Sequence, residues 1–184
     1  RIARARGFVH VRSDHERRRL GGIPPAAASR SPQDQGLYSA HHTHTTYDRL
    51  AYLARLILQQ GYSAIIDATF LQSAERERFA ALAGEAGVRF GILDCDAPRP
   101  VLEARIRARA AEGLDPSEAT GEVMARQLLT QQRLTGHERR LAVSSRDLDD
   151  EAALRQLPGG DRLSPHEARE LLKAMEAGEF EGVE

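Results

Sequence analysis

Three short apolar runs, separated by helix-length stretches, constrain this chain more than any other feature. GFVHV (7–11), YSAIID (62–67) and VRFGILDC (88–95) have strand length and are rich in β-branched and aromatic residues. Between them the apolar period changes. Leu50, Leu53, Ala54, Ile57 and Leu58 recur at helical spacing within 45–60, with Gly61 as the stop. Ser73 opens a second helix whose Phe79, Leu82, Ala83 and Ala86 share a face and which Gly87 closes. The alternation of strand and helix predicts an α/β fold, a parallel sheet with helices on both faces.

The remaining segments fit around that frame. HERRRL (15–20) reads as a brief helix after the first strand, and GGIPPAAASRSPQDQG (21–36) as a long loop. Pro98 introduces a helix carrying Val101, Leu102 and Ile106. Asp115-Pro116-Ser117-Glu118 caps another, which is expected to run through VMARQLLTQQRL. LAVSS (141–145) is a further candidate strand, residues 149–157 a short helix, and Ser164-Pro165-His166-Glu167 the capping box of a last helix ending near Gly178.

With 184 residues, 41% of them hydrophobic, the chain can bury one ordinary core. A net charge of -1 gives no whole-chain attraction to nucleic acid or to an anionic membrane, and no apolar run approaches a membrane span. The single cysteine, Cys95, cannot form an internal disulfide, so a soluble, cytoplasmic setting is the expectation. Cys95 itself reads as a small buried hydrophobe. His41, His42 and His44 are metal-ligand residue types, but adjacent histidines point differently on any regular element, and the stretch reads as a polar loop leading into the helix.

In an open parallel sheet, ligands bind beyond the carboxyl ends of the strands. Asp14 follows the first strand and Asp67 ends the second. A carboxylate so placed can organise Mg²⁺ or accept a proton; equally, Asp67 can cap the loop before the Ser73 helix. Arg105 and Arg109 are four apart in EARIRARAAEG and share a helix face, as in an arm that closes over phosphates; a solvated charged face has the same spacing.

The ordered series HVRSDHERRRL, LYS with THTTYDRLAYLA, GYSAIIDATFL, ERFAALA, GVRFGILDCDAP, LEARIRAR and DPSEA, over roughly residues 7–135, resembles a P-loop kinase family often fused to an aminoglycoside-phosphotransferase-like domain. That family is related to the gluconate kinase, chloramphenicol phosphotransferase, zeta-toxin and polynucleotide kinase groups. The resemblance implies ATP and Mg²⁺ as cofactors and a small-molecule hydroxyl as acceptor, with an aminoglycoside-phosphotransferase-like domain fused or associated. It implies Asp14 as the catalytic carboxylate, with Arg12 and Arg17 beside it as substrate contacts. Asp67 takes the Walker B place, reaching Mg²⁺ through water, with Thr69 adjacent. Arg105 and Arg109 occupy the lid, and Tyr38, Ser39, Thr46 and Tyr47 line the acceptor side. Residues 1–160 then form the kinase-like domain, with 21–44 as the substrate-side loop and 98–135 as the lid and following helix, and 161–184 a C-terminal helical extension.

One departure from the family is plain. Lys173 is the only lysine, so no GxxxxGK[ST] turn exists in this chain. The resemblance puts the strand before that turn between the strands ending at Asp67 and Cys95, and the expectation is a kinase domain whose first strand and P-loop lie upstream, without ATP turnover by these residues alone. Two other readings remain open: a non-catalytic binding module on a degenerate kinase scaffold, and a metal-dependent α/β hydrolase or nuclease in which Asp14 and Asp67 share the ion.

Overall fold

A computed structural model of the chain describes residue 3 and residues 7–23, 39–112 and 120–144. The elements follow in the order β1 (Val9–Arg12), α1 (Ser13–Leu20), α2 (Ala40–Gln59), β2 (Ala64–Asp67), α3 (Ser73–Glu85), β3 (Ile92–Asp94), α4 (Arg99–Glu112), α5 (Gly121–Thr130), α6 (Gly136–Arg140) and β4 (Ala142–Ser144). The expected helices at 149–157 and 164–178, the cap at 115–118 and most of the 21–36 loop lie outside the described residues.

All strand pairing is parallel. β1 pairs with β2, Val9 opposite Ala64 and Arg12 opposite Asp67, and β3 pairs with β4, Ile92 opposite Ala142 and Asp94 opposite Ser144. Among the described residues these are two separate two-stranded sheets, and neither β2 nor β3 has a partner on its second edge. AIID and ILD are apolar runs of the kind found in covered central strands, yet every residue before Asp67 in β2, and every residue of β3, is only partly buried.

The core lies on one face of the β1–β2 sheet. Strand alternation sends Val9 and Val11 to that face at 1% and 3% exposure, with Ala64 and Ile66 beside them, while His10 and Arg12 point the other way. α2 lays Leu50, Leu53, Ala54 and Ile57 onto it, all essentially solvent-free, and Phe79 and Leu82 of α3 complete the cluster. The i, i+3, i+4, i+7 spacing of those α2 residues is what makes the stripe continuous.

α2 begins five residues before the 45–60 stretch that its apolar spacing marks, so His41, His42 and His44 are helical and not a loop. HHTHTT has poor helix propensity. An N-cap offsets this, and two threonine hydroxyls turn back onto the helix. The Ser39 hydroxyl accepts from the His42 N–H at 3.3 Å as the N-cap, and Thr45 and Thr46 donate to the carbonyls of His41 and His42 at 3.0 and 2.6 Å. α5 differs in the other sense: Thr120 caps it by accepting from Val123 N–H, and it stops at Thr130, short of the expected QQRL extension. Tertiary bonds claim the residues beyond. Gln132 N–H donates to the Leu71 carbonyl at 2.8 Å, and the Gln132 side-chain oxygen accepts from Ser73 N–H at 2.7 Å and Ser73 Oγ at 2.9 Å. The α3 N-terminus is thus capped by a side chain 59 residues away.

Candidate functional site

The parallel register gathers the strand-end residues. Because Arg12 faces Asp67, the turn from β1 into α1 and the turn leaving β2 emerge at the same end of the sheet, with Asp14 in the first turn of α1. His10 and Arg12, two apart on β1, project from one face; His10 Nε2–H donates to Asp67 Oδ2 at 3.0 Å and Arg12 Nε lies 3.6 Å from the same oxygen. The hydrogen bond from His10, helped by the charges of His10 and Arg12 against partial desolvation, holds the Asp67 carboxyl below the usual carboxylate range. Asp67 is therefore kept ionised while half its side chain stays open to solvent (52%).

The other predicted residues divide into three groups. Arg17 reaches back to α2, its Nη1 donating to Thr43 Oγ1 at 3.2 Å, close to Ser39 at the start of that helix. Thr46 and Tyr47 are inside: Thr46 is fully buried with its hydroxyl on the His42 carbonyl, and Tyr47 is 6% exposed within the core. Arg105 sits exposed on α4, Arg109 lies in the same helix with its side chain outside the described residues, and Tyr38 is outside them altogether.

Cys95 is exposed and not the buried hydrophobe its strand-end position suggests, because β3 ends one residue earlier, at Asp94. Its thiol titrates above the ordinary value, through desolvation first and then the charges of Asp67 and Asp94, with Arg105 opposing. Asp67 and Asp94, at the ends of β2 and β3, and Arg105 of α4 are the charged groups that act on this thiol. Asp94 was readable in GILDC as a third acid at a strand end.

Immediately after Asp67 the backbone is locked. Phe70 has φ 44°, the only positive φ of a non-glycine among the described residues, a conformation that costs an aromatic residue on the order of 1 kcal/mol. The Tyr47 hydroxyl accepts from Phe70 N–H at 3.0 Å and lies 3.5 Å from Thr69 Oγ1, while Arg76 Nη1 donates to the Phe70 carbonyl at 2.9 Å. The Phe70 ring packs edge-on between Tyr47 and Phe79, with centroids 5.5 and 5.2 Å away. Arg76, 5% exposed, also forks onto Glu138 of α6, Nε to Oε1 at 2.5 Å and Nη2 to Oε2 at 3.2 Å. Those bonds, with Thr135 N–H and its hydroxyl, push the Glu138 carboxyl down to about 2. Thr135-x-x-Glu138 is a capping box visible in the sequence.

Asp67 offers hard, ionised oxygen of the kind Mg²⁺ takes, usually with water between. Among the described residues no three His, Cys, Asp or Glu side chains converge as a metal cage, and no helix is long and apolar enough to cross a membrane. An open groove between α4 and the start of α5 is lined by Arg99, Ile106, Arg107 and Thr120 and by none of the strand-end acids.

Residues 1–134 match a family described as an AAA domain. An uncharacterized protein of Mycobacterium bovis and one of Mycobacterium tuberculosis are each 31% identical to the chain over 124 residues, 67% of this chain and 24% of theirs. The chain thus spans about a quarter of the length of the curated relatives it matches. No solved structure matches it. Parallel strands with acids at their carboxyl ends, helices packed on the sheet and a match across 134 of 184 residues agree: the chain belongs to the AAA domain family, with a P-loop NTPase-like α/β fold.

Proposed function

We propose that these residues form the acceptor-facing and metal-facing part of an ATP-dependent kinase that phosphorylates a hydroxyl of a small molecule. One observation carries the reading: the β1–β2 register delivers Asp14 and an ionised, half-exposed Asp67 to the same end of a parallel sheet. Bound Mg²⁺ would neutralise phosphate oxygens, and Asp67 would hold it through water. Asp14 receives the proton of the acceptor hydroxyl. Arg12, Arg17 and Ser39, with Tyr38 beyond the described residues, face the acceptor, and Thr69 borders the metal. Arg105 and Arg109 answer the charge that develops on the transferred group. Thr46 and Tyr47, being buried, act by holding this frame.

The phosphate-cradling GxxxxGK[ST] turn has no match in these 184 residues, so the activity is assigned to a polypeptide that supplies it. The same fact favours the second reading, a non-catalytic binding module on the kinase scaffold. The greater length of the relatives leaves room for a further domain, and an aminoglycoside-phosphotransferase-like unit is the partner we propose.

The test compares the full-length protein with its Asp14→Asn variant, following Mg²⁺-dependent ATP consumption over a panel of sugars and sugar-like antibiotics. Turnover should fall by roughly 10²–10⁴ while ATP affinity stays within about twofold. Unchanged turnover removes Asp14 from the mechanism. A full-length protein that neither binds nor consumes ATP removes the kinase reading.

A further inference from the structure

The segment between Asp67 and α3 is held more firmly than a five-residue connection needs. Its central residue, Phe70, is gripped through both backbone groups: the Tyr47 hydroxyl takes its N–H and the Arg76 guanidinium its carbonyl. The ring is pinned between two other aromatics. A left-handed Phe in a loop persists only where its surroundings over-determine it, and here they do. The conformation of residue 70 sets the path of the chain between the end of β2 and α3, where Thr69 Oγ1 lies 3.5 Å from the same Tyr47 hydroxyl.

The grip extends further. Arg76 Nη2 also approaches the Arg133 carbonyl at 3.5 Å, and its fork on Glu138 joins α3 to α6. Gln132 binds Leu71 and Ser73, and Gln72 Nε2 donates to the Thr130 carbonyl at 3.2 Å. Residues 130–138 run from the end of α5 into α6, at the root of the arm that the sequence leads one to expect around Arg105. The loop that follows the candidate metal-facing acid and the segment 130–138 are therefore bonded to each other, with Arg76 as the node.

We propose that Tyr47 and Arg76 are positioning residues: together they fix the Phe70 backbone, set the path of the chain from the end of β2 through Thr69, and register that loop against the segment 130–138. Neither needs to touch a ligand. The catalytic consequence rests on the kinase reading above; the structural one does not.

The experiment is made on the full-length protein with Tyr47→Phe, which removes one hydroxyl and keeps the ring, and with Arg76→Lys, which keeps the charge and loses the fork. Amide hydrogen exchange is the first readout. Tyr47→Phe should raise exchange at Phe70 at least tenfold and leave the α2 core amides unchanged; Arg76→Lys should do so at 68–72 and at 130–138 together. Steady-state kinetics is the second. Tyr47→Phe should lower kcat roughly tenfold or more with the KM for ATP within twofold, since a small misplacement at a reacting centre is felt in the transition state. Loss of protection spread evenly over the core, or none at Phe70 in Tyr47→Phe, overturns the proposal even if Arg76→Lys fails to fold. Changed exchange with unchanged kcat overturns the catalytic half. If the parent protein shows no turnover, the kinase reading fails and exchange alone decides whether Tyr47 and Arg76 hold the loop.

Discussion

Replacing Glu138 with Gln removes a charge from the most enclosed ion pair at this site, and the structure sets both the size of the effect and its pH dependence. Arg76 and Glu138 are 5% and 7% exposed, and the carboxyl is held at about 2 against an ordinary 4.5. At about 1.4 kcal/mol per pH unit, that depression is worth about 3 kcal/mol at neutral pH. Breaking a buried pair from one side gives a similar figure, about 3–5 kcal/mol, because the remaining charge is left uncompensated. Here Arg76 retains the Phe70 carbonyl, and the amide oxygen introduced by Glu138→Gln can still accept from Thr135 N–H, so the lower end applies. A loss of about 3 kcal/mol lowers Tm by roughly 6–12 °C in a protein of this size. The folded-state carboxyl titrates below its unfolded value, so the stabilisation is fully present above pH 4.5 and disappears as pH falls through about 2. Between pH 7 and pH 3 the gap between parent and Glu138→Gln should narrow by about 2 kcal/mol. Denaturant unfolding followed by circular dichroism at the two pH values measures it. A gap under about 1 kcal/mol at pH 7, or the same gap at both, would refute the reasoning.

Ile57→Ala removes a fully buried side chain from the centre of the α2 stripe and should cost about 2–5 kcal/mol in chemical denaturation. A loss under about 1 kcal/mol would mean that α2 is not packed on β1 and β2 as described. Asp67→Asn should behave oppositely: the carboxylate is half exposed and its partners His10 and Arg12 are partly exposed, so solvent screening leaves under about 1 kcal/mol of stability at pH 7, and that part fades as pH falls below the ordinary carboxylate range. In the full-length protein the same variant should need more Mg²⁺ for half-maximal turnover, and an unchanged Mg²⁺ dependence would exclude Asp67 from the metal.

Local chemistry made the strand ends legible. Asp67 is found from the sequence because an apolar run that stops on an acid marks both the strand's length and its polar end, and Asp14 because it follows the end of β1 by two residues, in the first turn of α1. The α2 stripe is equally readable, since 3.6-residue spacing needs no knowledge of what it faces. The start of α2 was not, because HHTHTT is a weak helix former and it takes the Ser39 cap and the packed stripe that follows to outweigh that preference. The end of α5 was hidden for a different reason: QQRL is good helix sequence, and the chain leaves the helix because Gln132 finds better partners at Leu71 and Ser73. Thr135-x-x-Glu138 could have been found, since it is a local motif that stands just ahead of LAVSS.

What the sequence determined by itself was the parallel α/β class and the acids waiting at the strand ends, because periodicity and strand length act between near neighbours. The tertiary structure alone decided that Tyr47 faces inward to hold the Phe70 backbone, that Arg76 ties that loop to Glu138 of α6, and that β2 and β3 stand in separate sheets among the described residues. Each of those outcomes depends on groups more than twenty residues apart or on which strand edges meet, and no local pattern records such distances.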